Sequence, residues 1–97
     1  MITTKQRAYL RTLSNSMEAL YQTGKNGITE TVLKTLDDAL EARELIKITV
    51  LETNPENPKE AMKILTEKLS CKPVQVIGRK VVIYRASKNN PKIVLPK

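Results

Sequence analysis

Histidine and tryptophan are absent from these 97 residues, cysteine occurs once and glycine three times. Without histidine the chain lacks the commonest general base and the commonest metal ligand together. A non-enzymatic protein is therefore expected, with no catalytic residues, no metal site and no cofactor. The single cysteine, Cys71, cannot close an internal disulfide, so nothing calls for an oxidising compartment. With no histidine or second thiol for a partner, it is expected to pack as a small residue in or near the core. No apolar run approaches the ~18–20 residues a membrane span needs, and the chain turns polar within three residues of its start. The expectation is a cytoplasmic protein with no signal peptide and no membrane partner.

Acids are missing from both ends. Residues 1–17 carry Lys5, Arg7 and Arg11 with no acid, residues 72–97 carry seven further cations with none, and all ten acids lie between residues 18 and 71. The formal charge of +7 is thus concentrated at the termini. If the fold joins them, they make one cationic face that attracts polyanions. An excess that merely aids solubility explains the pattern less well, because the acid-free stretch 72–97 is long for chance placement. At this length one domain, residues 1–97, with one modest core is expected, burying roughly 60–65% of the unfolded-chain surface.

Local patterns place the elements. Thr3 or Thr4 can cap a first helix with Ala8, Tyr9, Leu10 and Leu13 on its apolar side and Lys5, Arg7 and Arg11 largely exposed. "MEALYQ" can hold a short strand. Thr29 caps a second helix in which Val32, Leu33, Leu36, Ala39 and Leu40 recur at helical spacing. In "ELIKITVLE" the period changes to two, with Ile46, Ile48 and Val50 opposite Lys47 and Thr49, which predicts a strand. Asn57, Pro58 and Glu60 form a helix start, and Ala61, Ile64, Leu65 and Leu69 face inward behind it. "KPVQVI" and "KVVIYR" then make a hairpin across Gly78-Arg79 in a type II′ turn, with Val76 facing Val81 and Val74 facing Ile83. The tail 86–97 is basic and of mobile composition, with a short edge strand at Ile93–Leu95. This order, α-β-α-β-α-β-β, describes an α/β two-layer sandwich with about three helices over a sheet of about four strands.

Two of the three glycines stand in "TGKNGIT", directly before the second helix. Gly24 and Gly27 permit close approach of a ligand to the backbone, the N–H groups and helix N-terminus suit an anion, and Lys25 adds a cation beside Asn26. The spacing excludes a Walker A loop but equals that of the GxxG loop by which KH domains hold nucleotide backbone. Asn26-Gly27 is also an ordinary turn dipeptide, so the glycines alone do not separate the two readings. Further cations for phosphate contact are Arg79 and Lys80 at the hairpin tip and Arg85, Lys88 and Lys92 beyond it. Tyr84 among them could stack on a base, although a strand tyrosine more often packs. The acids Asp37, Asp38, Glu41 and Glu44 read as a solvated helix face.

Taken in order, "TKQRAYLRTL", "GKNGITETVLKTLDDALEARELIKITVL", "VQVIGRKVVIYR" and the tail ending "KIVLPK" resemble the YhbY-type proteins built from one CRM domain (chloroplast RNA splicing and ribosome maturation). The resemblance spans about residues 3–97 and is weakest over "ETNPENPKEAMKILTEKLSCK". It implies a fold similar to the C-terminal domain of bacterial translation initiation factor three, a four-stranded mixed sheet with helices packed on it. It also implies an RNA-binding protein whose partner is rRNA of the precursor large ribosomal subunit. Gly24, Lys25, Asn26 and Gly27 would be the RNA-facing loop, extended by Arg79, Lys80, Arg85 and Lys88, with Lys5 and Arg11 on the same basic surface. A monomer without a small-molecule substrate is expected. The alternative is a basic adaptor that docks on ribosomal or other acidic proteins.

Overall fold

In the computed structural model, which describes residues 2–97, the first helix α1 (Thr4–Asn15) starts at Thr3. The Thr3 hydroxyl accepts from the Gln6 N–H while the Gln6 side chain accepts from the Thr3 N–H, closing a capping box. Its inward stripe is Leu10, Leu13 and Ser14. Ala8 and Tyr9, expected on the apolar side, are exposed, because at 100° per residue Ala8 falls opposite Leu10 and Tyr9 on the flank. Arg7 instead turns towards the sheet, its Nε donating to the Pro73 carbonyl at 3.1 Å.

The remaining elements are β1 (Tyr21–Thr23), α2 (Glu30–Arg43), β2 (Leu45–Val50), α3 (Pro58–Leu69), β3 (Lys72–Ile77) and β4 (Lys80–Tyr84). They form a four-stranded sheet in the order β1-β2-β4-β3, with β1 parallel to β2 and the other pairs antiparallel. Both later helices begin at the expected caps: Thr29 accepts from the Val32 N–H, and Asn57 forms a capping box with Glu60 behind Pro58. The buried stripe of α3 is Ala61, Met62, Leu65 and Leu69. Ile64, expected inward, lies off this stripe at its partly exposed edge.

The four-stranded mixed sheet with three helices is present, but the helices divide between both faces. Ile46, Ile48, Val50, Val81 and Ile83 pack under α2 and α3 with Leu36, Leu40 and Leu65. On the opposite face Leu45, Val82 and Tyr84 pack with Ile2 and Leu10, joined by the tail residues Ile93 and Leu95. The physical reason is that β4 is apolar on both faces, Val81 to Tyr84 all being buried; such a strand needs a cover on each side. Lys47, on the strand face opposite Ile46 and Ile48, is covered as well and extends its Nζ to the Met17 carbonyl at 3.0 Å.

The hairpin pairs Ile77 with Lys80 and Val76 with Val81 as expected, and Gly78 has the positive φ of 56° that its turn requires. Val74 does not reach Ile83. A bulge between Pro73 and Gln75 pairs Pro73 with Ile83 and brings Val74 into the cluster beneath α1. The tail forms no strand.

Candidate nucleic-acid interface

Gly24 to Gly27 form a single turn closed by the Gly27 N–H on the Gly24 carbonyl at 2.8 Å. Its base is anchored from below. The Thr23 hydroxyl lies 3.0 Å from the Gly27 carbonyl and 2.8 Å from Asn54 Oδ1, sharing its proton between them. Asn54 Nδ2 donates in turn to the Glu56 carbonyl and carboxylate, and the Leu51 N–H reaches the Thr23 carbonyl. Lys25 and Asn26 remain exposed at the tip, and their N–H groups have no acceptor among the described residues. They rim an open groove of about 440 Å³ that continues to Thr29 and Thr31 at the start of α2.

The glycines have an internal reason as well. Gly27 sits at φ +72°, and a Cβ there would come 3.2 Å from Glu56 Oε1; at Gly24 it would come 3.3 Å from Leu51 Cδ1. Both residues lack a side chain where the turn lies against the segment between β2 and α3. That contact carries Asn54, a buried anchor that the sequence showed only as loop composition.

Strand order brings the hairpin tip to the same end of the sheet, since Lys80 pairs with Thr49 while Thr23 pairs with Val50. Lys80 is exposed there, as is Lys59 in the first turn of α3, which no sequence signal had singled out. Arg79 is engaged: its Nε and Nη2 donate to the carbonyls of Val50 and Leu51 at 2.7 and 3.0 Å, fixing the end of β2 beside the glycine turn. Cations and acids are mixed at this end, Lys25, Lys59 and Lys80 alternating with Glu30, Glu52 and Glu56.

Arg85, Lys88 and Lys5 gather at the other end, where β4 finishes and α1 begins, with Arg11 exposed two turns along α1. The termini meet here: Gln6 Nε2 donates to the Pro96 carbonyl at 3.0 Å and Lys5 Nζ reaches the Lys97 carbonyl at 3.4 Å. Arg85 faces inward, with a side chain 19% exposed, an ion pair to Asp37 at 2.6 Å and a bond to the Leu69 carbonyl. Its guanidinium therefore ties α2 and the end of α3 to β4. Tyr84 is buried in the cluster beneath α1 and packs instead of presenting a stacking face.

The acids of α2 are not one solvated face. Asp38 pairs with Lys34 in the open, but Glu41 accepts from the Ser87 hydroxyl and from the N–H groups of Lys88 and Asn89, and Glu44 from those of Ser87, Lys92 and Ile93. The Ser87 hydroxyl and the two N–H groups hold the Glu41 carboxyl at about 2, against an ordinary 4.5. Burial would raise Glu44, yet its three N–H donors outweigh burial and leave it below the ordinary value. Burial pushes the Cys71 thiol up to about 11, so it stays protonated. Among the described residues no three Cys, Asp or Glu side chains form a metal-binding group.

Fold and surface together define a small α/β protein with a tightly anchored glycine turn at one end of its sheet and a cationic helix-and-tail face at the other. Residues 2–85 match the CRS1 / YhbY (CRM) domain, and the chain belongs to that family. It is 38% identical to the Probable RNA-binding protein YqeI of Bacillus subtilis, over 99% of this chain and 100% of that one. An RNA-binding protein of Haemophilus influenzae is 33% identical over 99% and 96% of the two chains. The Staphylococcus aureus protein SAV1595, described with its solution structure as a candidate RNA binding protein, superimposes with a TM-score of 0.74. It is 47% identical to this chain, the match covering 99% of this chain and 100% of that one.

Proposed function

We propose that this protein is a non-enzymatic RNA-binding protein of the cytoplasm that holds rRNA of the precursor large ribosomal subunit during ribosome assembly. The observation that carries this reading is the junction of the two acid-free segments, α1 and the tail, into one surface bearing exposed Lys5, Arg11, Lys72, Lys88, Lys92 and Lys97. Such a surface suits a phosphate backbone, because each neutralised phosphate releases bound counterions. The Bacillus subtilis and Haemophilus influenzae relatives, both RNA-binding by description, favour RNA over other polyanions. The glycine turn supplies a second kind of contact: two backbone N–H groups and the Lys25 ammonium at a helix N-terminus, which suits phosphate oxygens or the edges of unpaired bases.

Fluorescence anisotropy over a salt series tests this with a large-subunit rRNA fragment and duplex DNA of equal length. Wild type is expected to prefer the RNA and to lose affinity steeply with salt, and Lys25→Glu to weaken binding severalfold with no change in melting temperature. Equal, weak binding to both nucleic acids, untouched by Lys25→Glu, would point instead to a protein partner on the basic face.

A further inference from the structure

The tail 86–97 has no regular secondary structure, yet it is fully threaded. Six donors in this segment, five backbone N–H groups and the Ser87 hydroxyl, converge on two carboxylates at the end of α2, three on Glu41 and three on Glu44. These bonds take the place of a strand ladder. Without them the N–H groups of Ser87, buried with its residue, and of Ile93, on a half-buried residue, would lose their acceptors. Glu44 is itself held in an uncommon backbone conformation, φ 68°, as the single residue between α2 and β2. Its N–H bonds the Leu40 carbonyl and its carbonyl accepts from the Arg85 N–H, so the carboxylate is aimed at the tail by main-chain bonds on both sides.

Beyond the two carboxylates, Ile93 and Leu95 enter the cluster beneath α1 and Pro96 and Lys97 meet Gln6 and Lys5. The tail cations are thereby fixed alongside those of α1. Resting on the RNA-binding reading above, we infer that Glu41 and Glu44 are positioning residues of the RNA surface: two acids, each held by three donors of the tail, assemble a binding face for a polyanion.

Glu41→Gln and Glu44→Gln each raise the net charge by one, so a role for bulk charge alone predicts tighter RNA binding. A glutamine also has one acceptor oxygen and turns an NH₂ towards donors, so it keeps the bonds to at most one of the two carboxylate positions and holds the tail less firmly. Binding of the rRNA fragment is measured by anisotropy across salt, and amide hydrogen exchange is followed in the same proteins. The expected result is that exchange speeds up at Ser87, Lys88, Lys92 and Ile93 while Ile48 and Val82 stay protected. RNA affinity then falls about fivefold in each variant and the salt slope shrinks by about one, the size of one or two lost phosphate contacts. A freed tail with RNA affinity equal to or above wild type overturns the inference, as does a tail that stays protected in both variants. Should Glu44→Gln fail to fold, Glu41→Gln, at the partly exposed site, decides it. A wild type that binds no RNA overturns the functional reading itself and this inference with it, a failure visible before any variant is compared.

Discussion

The two ends of the sheet handle charge in opposite ways. At the glycine turn, acids and cations are mixed, and what distinguishes the site is backbone geometry: two N–H groups with no acceptor among the described residues, on a turn that Thr23, Asn54 and the absent side chains of Gly24 and Gly27 fasten in place. At the α1 and tail end secondary structure is looser and exposed cations outnumber acids: Lys5, Arg11, Lys72, Lys88, Lys92 and Lys97 face solvent, while Glu41 and Glu44 turn to donors of the tail and Asp37 to Arg85. The contrast suggests a division of labour. A cationic face supplies affinity without discriminating between sequences, whereas fixed donors report the shape of what approaches them.

The contrast can be broken first from the charged side. Lys5→Glu combined with Arg11→Glu, both on exposed positions of α1, is expected to lower rRNA affinity about tenfold or more at low salt and to flatten the salt dependence by about two contacts, with little change in stability. An unchanged salt slope in anisotropy would remove α1 from the interface.

A smaller effect is expected from the geometric side. Gly27→Ala puts a side chain at φ +72° and within 3.2 Å of Glu56 Oε1, which should lower stability by about 1–3 kcal/mol in urea denaturation. RNA affinity is expected to fall with a salt slope close to wild type, since no charge is removed. A slope that falls as far as in the α1 variant would mean that the two ends do not divide the work.

The smallest effect is a pH response confined to the tail. Glu41 titrates at about 2 in the folded protein against an ordinary 4.5, with Arg85 the charge that also faces it; Lys92 and Tyr84 flank Glu44. Because the folded value is depressed, the contribution of Glu41 is complete above about 4.5 and is lost as pH falls towards about 2. The amide signals of Lys88 and Asn89 should therefore shift in NMR over that window before the core signals do. Tail signals constant to pH 2 would contradict the bonds drawn to Glu41.

Much of the fold was legible because its causes are local. Thr3, Thr29 and Asn57 cap helices through bonds to residues three positions on, and the alternation around Ile46 to Val50 follows from the pleat of one strand. The glycine turn and the basic termini were visible for the same reason. What escaped notice depends on distant partners. Arg79 and Arg85 read as free cations like Lys80, although in the structure each guanidinium is bound to carbonyls or to Asp37. Val74 changes face through a bulge that only its partner strand reveals. A polar tail looked mobile, and its acceptors lay over forty residues away at the end of α2.

Residue order was enough to set where helices and strands begin, which faces are apolar, and that positive charge collects at both ends of the chain. Those properties come from spacing, capping and composition, and neighbours along the chain supply them. Which cations face solvent, why the turn needs glycine on its inner side, and how two glutamates hold a basic tail were settled by packing. A charged or polar group is spoken for only once folding brings its partner within hydrogen-bond distance, and that partner here lies in another element.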